Sequence, residues 1–169
     1  GLDIAATLDW TWVYQNTPQT TAWRHKCILT ITIVNDPNGN LTYSSFVTTN
    51  AVSTGKVIIQ PTANPLVWNI LGGDATVPDP IGPVTLNVLV VGNEVGGLDT
   101  TTVGLNVRQL GDVDGNGFLN VLDKLYFTQR MNAIPTPYPD RCYDLTGDGF
   151  VNVLDKLAMT RALNGLPIP

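Results

Sequence analysis

Alternating apolar and polar positions predict β-strands through most of residues 1–110, which we call the β half. The first run covers residues 8–14 and has an aromatic face. That face consists of Leu8, Trp10, Trp12 and Tyr14. Residues 27–33 alternate in the same way. Turn residues separate the later runs, which we place at 41–47, 56–60, 66–70, 84–91 and 101–107. About seven short strands in this length predict a small β-sandwich of immunoglobulin-like size.

After Leu110 the pattern changes to short loops rich in Gly and Asp, each followed by helical periodicity. The spacing places Leu122, Leu125 and Tyr126 on one face of a first helix. A second helix has a less regular face, formed by Leu154, Leu157 and Met159. We therefore expect two domains, 1–110 and 111–169, and call the second one the C-terminal module. The joint between them is short, so the two should touch.

The charge pattern narrows the classes of function. The chain has 169 residues, a formal net charge of −5 and fourteen acidic residues, and six of these acids lie in the two C-terminal loops. Phosphate binding needs clustered Lys and Arg, so nucleic acid is excluded as a partner. No apolar run reaches the about 18 residues that a membrane span needs. The composition favours an extracellular or cell-surface protein whose signal peptide has already been removed.

The loops belong to an internal repeat, because residues 112–125 recur as residues 144–157 with most positions identical. Each copy has oxygen-bearing side chains at loop positions 1, 3, 5, 9 and 12 and Gly at position 6, which is the spacing of a calcium loop. Position 7 contributes its carbonyl. The first loop provides Asp112, Asp114, Asn116, Phe118, Asn120 and Asp123; the second provides Asp144, Thr146, Asp148, Phe150, Asn152 and Asp155. The alternative, polar turns without metal, would have to produce this spacing twice.

These residues give the C-terminal module a close resemblance to the dockerin family, which has two loop–helix units and Asp at position 12. The resemblance implies two calcium ions, an antiparallel pair of helices and a cohesin domain as partner. Thr146 departs from the usual Asp or Asn at position 3. Positions 10 and 11 are apolar (Val121-Leu122 and Val153-Leu154), whereas cellulosomal dockerins often carry polar cohesin-contacting residues there. This difference favours packing against another surface.

Four further features carry predictions. Cys27 and Cys142 form an even pair in a secreted protein, which favours a disulfide over two free thiols. Trp10 and Trp12 share a strand face that either stacks on glycans, together with Trp23 and Trp68, or packs in a core or interface. Asn40 begins a glycosylation sequon. His25 is the single histidine, so it would have to serve any histidine-based triad or zinc site; we expect it on a strand face.

No catalytic constellation is visible, so we expect a non-catalytic protein. The first hypothesis is a structural subunit of a surface layer, fibre or scaffold that self-associates, with residues 1–16 donated as a strand to a neighbouring copy. The second is a dockerin adaptor that binds a cohesin, and the third is a carbohydrate-binding module that carries a dockerin.

Overall fold

The protein is described by a computed structural model, which covers residues 1–15, 25–37, 42–49, 57–73, 81–93, 97–166 and 168. Strands fill the β half and α-helices the C-terminal module, as the sequence predicts. The strands are β1 Asp3–Leu8, β2 Trp12–Gln15, β3 Lys26–Asn35, β4 Tyr43–Thr49, β5 Ile58–Pro61, β6 Val67–Leu71, β7 Gly82–Gly92 and β8 Leu98–Gln109. The helices are α1 Val121–Met131 and α2 Val153–Leu163, with a 3₁₀ turn at Asp140–Cys142 between them.

The strands form two four-stranded sheets, in the orders β1-β3-β6-β5 and β2-β8-β7-β4. Every pairing is antiparallel except that of β2 with β8, which is parallel. Alternate residues of both sheets point into one apolar cluster, which includes Leu29 and Ile31 of β3 and Val88 and Val90 of β7. We call it the first core.

The predicted strand over residues 8–14 is wrong. β1 ends at Leu8 and pairs with β3, whereas β2 begins at Trp12 and pairs with β8 in the other sheet. The residues of β2 also divide between two cores: Val13 belongs to the first core, while Trp12 and Tyr14 enter a second cluster. The flat aromatic stripe behind the strand-donation hypothesis is therefore not formed. Self-association itself stays a prediction.

The second cluster is the core of the C-terminal module, and we call it the second core. It combines Trp12 and Tyr14 of β2 with side chains from the module. The other buried residues are Leu110 at the joint and, in the module, Val113, Phe127, Cys142, Tyr143, Leu145, Ala158, Met159 and Ile168. Each α-helix has 11 residues, and none in the described part of the chain is long and apolar enough to cross a membrane.

The leucines of the predicted α1 face lie at the surface. Leu122 and Leu125 are exposed, by 38% and 51%, and the residue that enters the second core is Phe127. On α2, Leu154 and Leu157 are exposed in the same way and Met159 is buried. Both helices thus present leucines to solvent.

The predicted disulfide is not present, because Cys27 and Cys142 are both free and buried. They lie in different cores, with β2 between them. The Cys27 thiol instead donates a hydrogen bond to the carbonyl of Trp12 at 2.8 Å. An even number of cysteines is therefore not enough to predict a disulfide between these two.

Both thiols are expected to resist alkylation in the folded protein and to take up two labels after denaturation without reductant. Burial raises the pKa of Cys27 to about 12 and also raises that of Cys142, so little reactive thiolate exists at pH 8. Intact-mass measurement before and after denaturation checks this. A denatured, unreduced protein that takes up no label would show that the disulfide forms after all.

Candidate metal centre

The first loop brings three carboxylates together. One oxygen each of Asp112, Asp114 and Asp123 lies within 4.8 Å of the other two, and Asp112 and Asp123 are fully buried. Calcium binds oxygens at about 2.3–2.6 Å, so ligands on opposite sides of the ion stand about 5 Å apart. The spacing and the all-oxygen donor set therefore fit a calcium ion.

The second loop repeats this arrangement with Asp144, Asp148 and Asp155, whose oxygens also lie within 4.8 Å of one another. It differs at position 3. The Thr146 hydroxyl lies 3.0 Å from Asp155 Oδ1 and 3.4 Å from Asp144 Oδ1, bridging two carboxylates where the first loop has a third acid. The third acid of this loop is Asp148 at position 5.

The backbone holds the carboxylates in place. Asp112 accepts the N–H groups of Gly115 and Gly117 at 3.1 and 2.9 Å, and Asp144 accepts those of the equivalent glycines. Gly117 adopts φ +89°, a left-handed conformation that side chains rarely take. Position 6 is glycine for this reason. The turn directs the N–H groups of Gly115 and Gly117 toward the two oxygens of Asp112, which fixes that carboxylate.

Position 12 joins each loop to its helix. Asp123 accepts Val113 N–H through Oδ1 and Asn120 N–H through Oδ2, at 2.9 and 3.0 Å. The Asn120 carboxamide in turn accepts Leu122 N–H at 3.0 Å, which completes a capping box. Asp155 and Asn152 do the same at α2. The predicted ligands at positions 9 and 12 therefore also start the helices.

The remaining predicted ligands lie at the loop surface. Asn116 and Asp148, both at position 5, each accept a backbone N–H from the phenylalanine at position 7. The side chains of Phe118 and Phe150 are each 70% exposed. The side chain at position 7 therefore faces solvent, and the role of its carbonyl as a ligand stays a prediction.

The first loop is electrostatically costly without a cation. The pKa of Asp112 is raised to about 6, chiefly by burial and in part by the neighbouring acids Asp114 and Asp123. Burial also raises the pKa of Asp123. A divalent cation at this position would replace lost hydration and neutralise the mutual repulsion.

Residues 110–164 match the model of the dockerin type I domain. The match confirms the resemblance drawn from the repeat, and it places both acidic clusters in a domain family that binds calcium. A search of curated proteins found no match to the chain.

The rings of Trp10 and Trp12 do not form a flat platform for a sugar. The rings of Trp10 and Trp12 meet edge to face, with centroids 5.0 Å apart and planes at 61°. Arginines cover both rings: Arg141 lies 4.8 Å from the Trp10 centroid and Arg108 lies 4.3 Å from the Trp12 centroid. The core or interface alternative is therefore the one that the geometry supports for this pair. Trp23 and Asn40 lie outside the described residues.

His25 lies just before β3, and its Nε2 is 2.6 Å from the carbonyl oxygen of Asp144, the first residue of the second loop. The sequence predicts His25 on a strand face, and it does not indicate the contacts that Arg108 and Arg141 make. Arg141 donates to the Lys26 carbonyl at 3.1 Å. No local sequence signal marks these contacts, since each joins residues far apart in the chain.

Proposed function

We propose that this chain is a non-catalytic extracellular adaptor, in which the dockerin module binds a cohesin domain and the β half is the part that it carries. Two calcium ions, one in each loop, hold the module in its binding shape. The ligands are the twelve loop residues predicted from the repeat. The strand orders of the two sheets resemble those of a constant-type immunoglobulin sandwich, with β1 and β2 as two pieces of its first strand.

The observation that carries the proposal is an apolar surface repeated on both helices. Its members are Val121, Leu122 and Leu125 on α1 and Val153, Leu154 and Leu157 on α2, with exposures between 38% and 77%. We call it the apolar helix face. Clustered exposed aliphatic residues of this kind mark protein-binding surfaces. The dockerin match supplies the class of partner, since dockerin domains bind cohesin domains.

The α2 part of the apolar helix face borders a groove. On α2, Leu154 and Leu157 border a shallow groove that also includes Ala158 and Ile168. A partner side chain placed there would be surrounded by apolar atoms, which is the arrangement of an interface hot spot. The apolar residues at positions 10 and 11 therefore require a cohesin whose contact surface is apolar at the matching places.

Three described acids of the β half and one of the C-terminal module have structural partners, which supports a non-catalytic role for these four residues. Asp9 accepts Ile28 N–H and Asp99 accepts Ile4 N–H, so both carboxylates hold strands together. Asp36 accepts the Tyr43 hydroxyl, and Asp140 forms an ion pair with Arg130. Each of these acids thus has a structural role of its own.

The test is titration of the full chain with a panel of purified type I cohesin domains in calcium, by calorimetry. We expect at least one cohesin to bind, and Leu122→Lys and Leu154→Lys each to weaken binding by about 2 kcal/mol or more, the size of a hot spot. The control is Phe46→Lys, because Phe46 is equally exposed but lies on β4. Excess chelator should abolish binding.

Self-association into a layer, fibre or scaffold is the second candidate, because the apolar helix face is duplicated and matches the apolar surface of another copy. Sedimentation over a range of concentrations in calcium separates the two candidates. If no cohesin binds and the chain forms oligomers that Leu154→Lys disperses, the adaptor proposal is wrong and the assembly candidate is supported.

A further inference from the structure

Strand β2 is shared between the two halves of the chain. Its four residues are all buried. Its backbone is paired with β8, and Gln15 accepts Leu110 N–H at 3.1 Å, so the strand is held by the β half. Yet Trp12 and Tyr14 contribute their side chains to the second core. Any change in the packing of the dockerin module therefore acts directly on a strand of the β half.

The first calcium loop touches this strand through Arg108. The Arg108 guanidinium stacks on the Trp12 ring, and its other side covers Gly115, where an added Cβ would lie 2.5 Å from Cζ. Gly115 is position 4 of the loop, between the predicted ligands Asp114 and Asn116. It has φ +70°, so its fit against Arg108 depends on the conformation of the loop.

The second calcium loop touches the same strand through His25. The His25 ring packs edge to face on Tyr14, with centroids 5.1 Å apart. Its Nε2–H donates to the carbonyl of Asp144 at 2.6 Å, and Asp144 is position 1 of the second loop. Since a carbonyl only accepts, Nε2 carries the proton.

The two contacts have the same plan. In each, an aromatic ring of β2 supports a nitrogen-bearing side chain of the β half, and that side chain meets one calcium loop. In both loops the contact with the β half lies at or beside a predicted calcium ligand. Gly115 lies between two predicted ligands, and Asp144 is itself one. Ordering of either loop by calcium would therefore order its contact with β2.

We infer that Arg108 and His25 couple calcium binding in the dockerin module to the stability of the β half, so that calcium fixes the carried part rigidly to its docking module. The inference rests on calcium binding by the two loops but not on the capture of a cohesin. Arg108 and His25 are positioning residues that act through loop backbone and β2 rings, and neither is a calcium ligand.

The chain offers a built-in reporter for this coupling. All four tryptophans, at positions 10, 12, 23 and 68, lie in the β half. Trp12 belongs to the second core and Trp10 packs against it, so tryptophan fluorescence reports the β half together with its junction with the dockerin module. Amide hydrogen exchange over residues 12–15 follows β2. Calcium in place of chelator should slow exchange in β2 by a factor of about 5 to 150, the usual size of coupling between sites, and should raise the tryptophan melting temperature.

The variants Arg108→Met and His25→Phe test the two bridges one at a time. Each keeps a side chain against its β2 ring. Arg108→Met removes the guanidinium that covers Gly115, and His25→Phe removes the donor to the Asp144 carbonyl. We expect both to bind two calcium ions by native mass spectrometry and to lose most of the calcium-dependent slowing in β2. The matched control is Thr102→Ala, an exposed position of β8 away from the loops, which should keep the full effect.

Three results would overturn the inference. If two ions bind and helicity rises while β2 exchange stays unchanged, the coupling alone is wrong and the adaptor proposal survives. If Arg108→Met and His25→Phe both keep the full calcium effect, the assigned residues are wrong. If no calcium binds to the full chain, this inference and the calcium-dependent adaptor fail together.

Discussion

Removal of calcium is expected to unfold the dockerin module and to lower the stability of the full chain strongly. A ligand that binds only the folded state stabilises it by about 4 kcal/mol when present at a thousand times its dissociation constant, and two loops add two such contributions. Chelation also leaves six loop carboxylates unneutralised, and the pKa of Asp112 is already raised to about 6 by burial and by its acidic neighbours. Circular dichroism at 222 nm with added chelator measures the loss of α1 and α2.

Single-site variants identify the contribution of each loop. Asp123→Asn and Asp155→Asn keep an oxygen that can accept the capping N–H but remove the charge, so a loss of metal is separated from a loss of the helix cap. Each variant should retain one ion by native mass spectrometry and should melt between the fully loaded and calcium-free proteins. Unchanged melting in excess chelator, with no calcium found by elemental analysis, would contradict the prediction.

The clustering of the loop carboxylates could be predicted from sequence because the chemistry of the loops is local. Ligands alternate along a short loop, and glycine is required where φ is positive, so position numbers alone identify the residues that converge. The structure brings three carboxylates together in each loop at the predicted positions. It adds the capping role of Asn120 and Asn152, for which the pattern of N-cap and position N3 was present in the sequence.

The rotation of the helices could not be predicted from the leucine spacing, because that spacing places Leu122 and Leu125 on one face without showing which way the face points. Asp123 fixes the rotation of α1, since its carboxylate must point back into the loop. Phe127 lies one turn later on the same side and therefore enters the second core, while Leu122 and Leu125 turn outward. The metal ligand, rather than the leucine spacing, was the signal for the buried face.

The division of residues 8–14 between two sheets could not be predicted from alternation. Period-two alternation identifies a strand with one buried face, whereas β2 is buried on both faces and its first three residues, Trp-Val-Tyr, include no charged or amide side chain. This apolar run is visible in the sequence. The second core, which buries the other face of the strand, is not visible, because it is assembled from residues more than ninety positions away. Contacts of Arg108 and His25 were hidden for the same reason.

Gly72→Ala is expected to be the most damaging small substitution in the described part of the β half. Gly72 is buried just after β6, and an added Cβ would overlap the carbonyl carbon and oxygen of Tyr14. These are backbone atoms of β2, so no side-chain rotation can relieve the overlap and the strand itself must shift. Overpacked sites typically cost about 1–3 kcal/mol, and we place this one at the upper end.

The consequence should extend beyond the first core, because a displaced β2 also withdraws Trp12 and Tyr14 from the second core. The matched control is Gly104→Ala on β8, where an added Cβ meets nothing within 4 Å. That change should be neutral or slightly stabilising, since glycine is disfavoured inside strands. Urea unfolding in calcium, followed separately by tryptophan fluorescence and by helical circular dichroism, compares the two variants. Gly72→Ala should shift both transitions to lower urea, and equal stability of the two variants would show that β2 does not lie against Gly72.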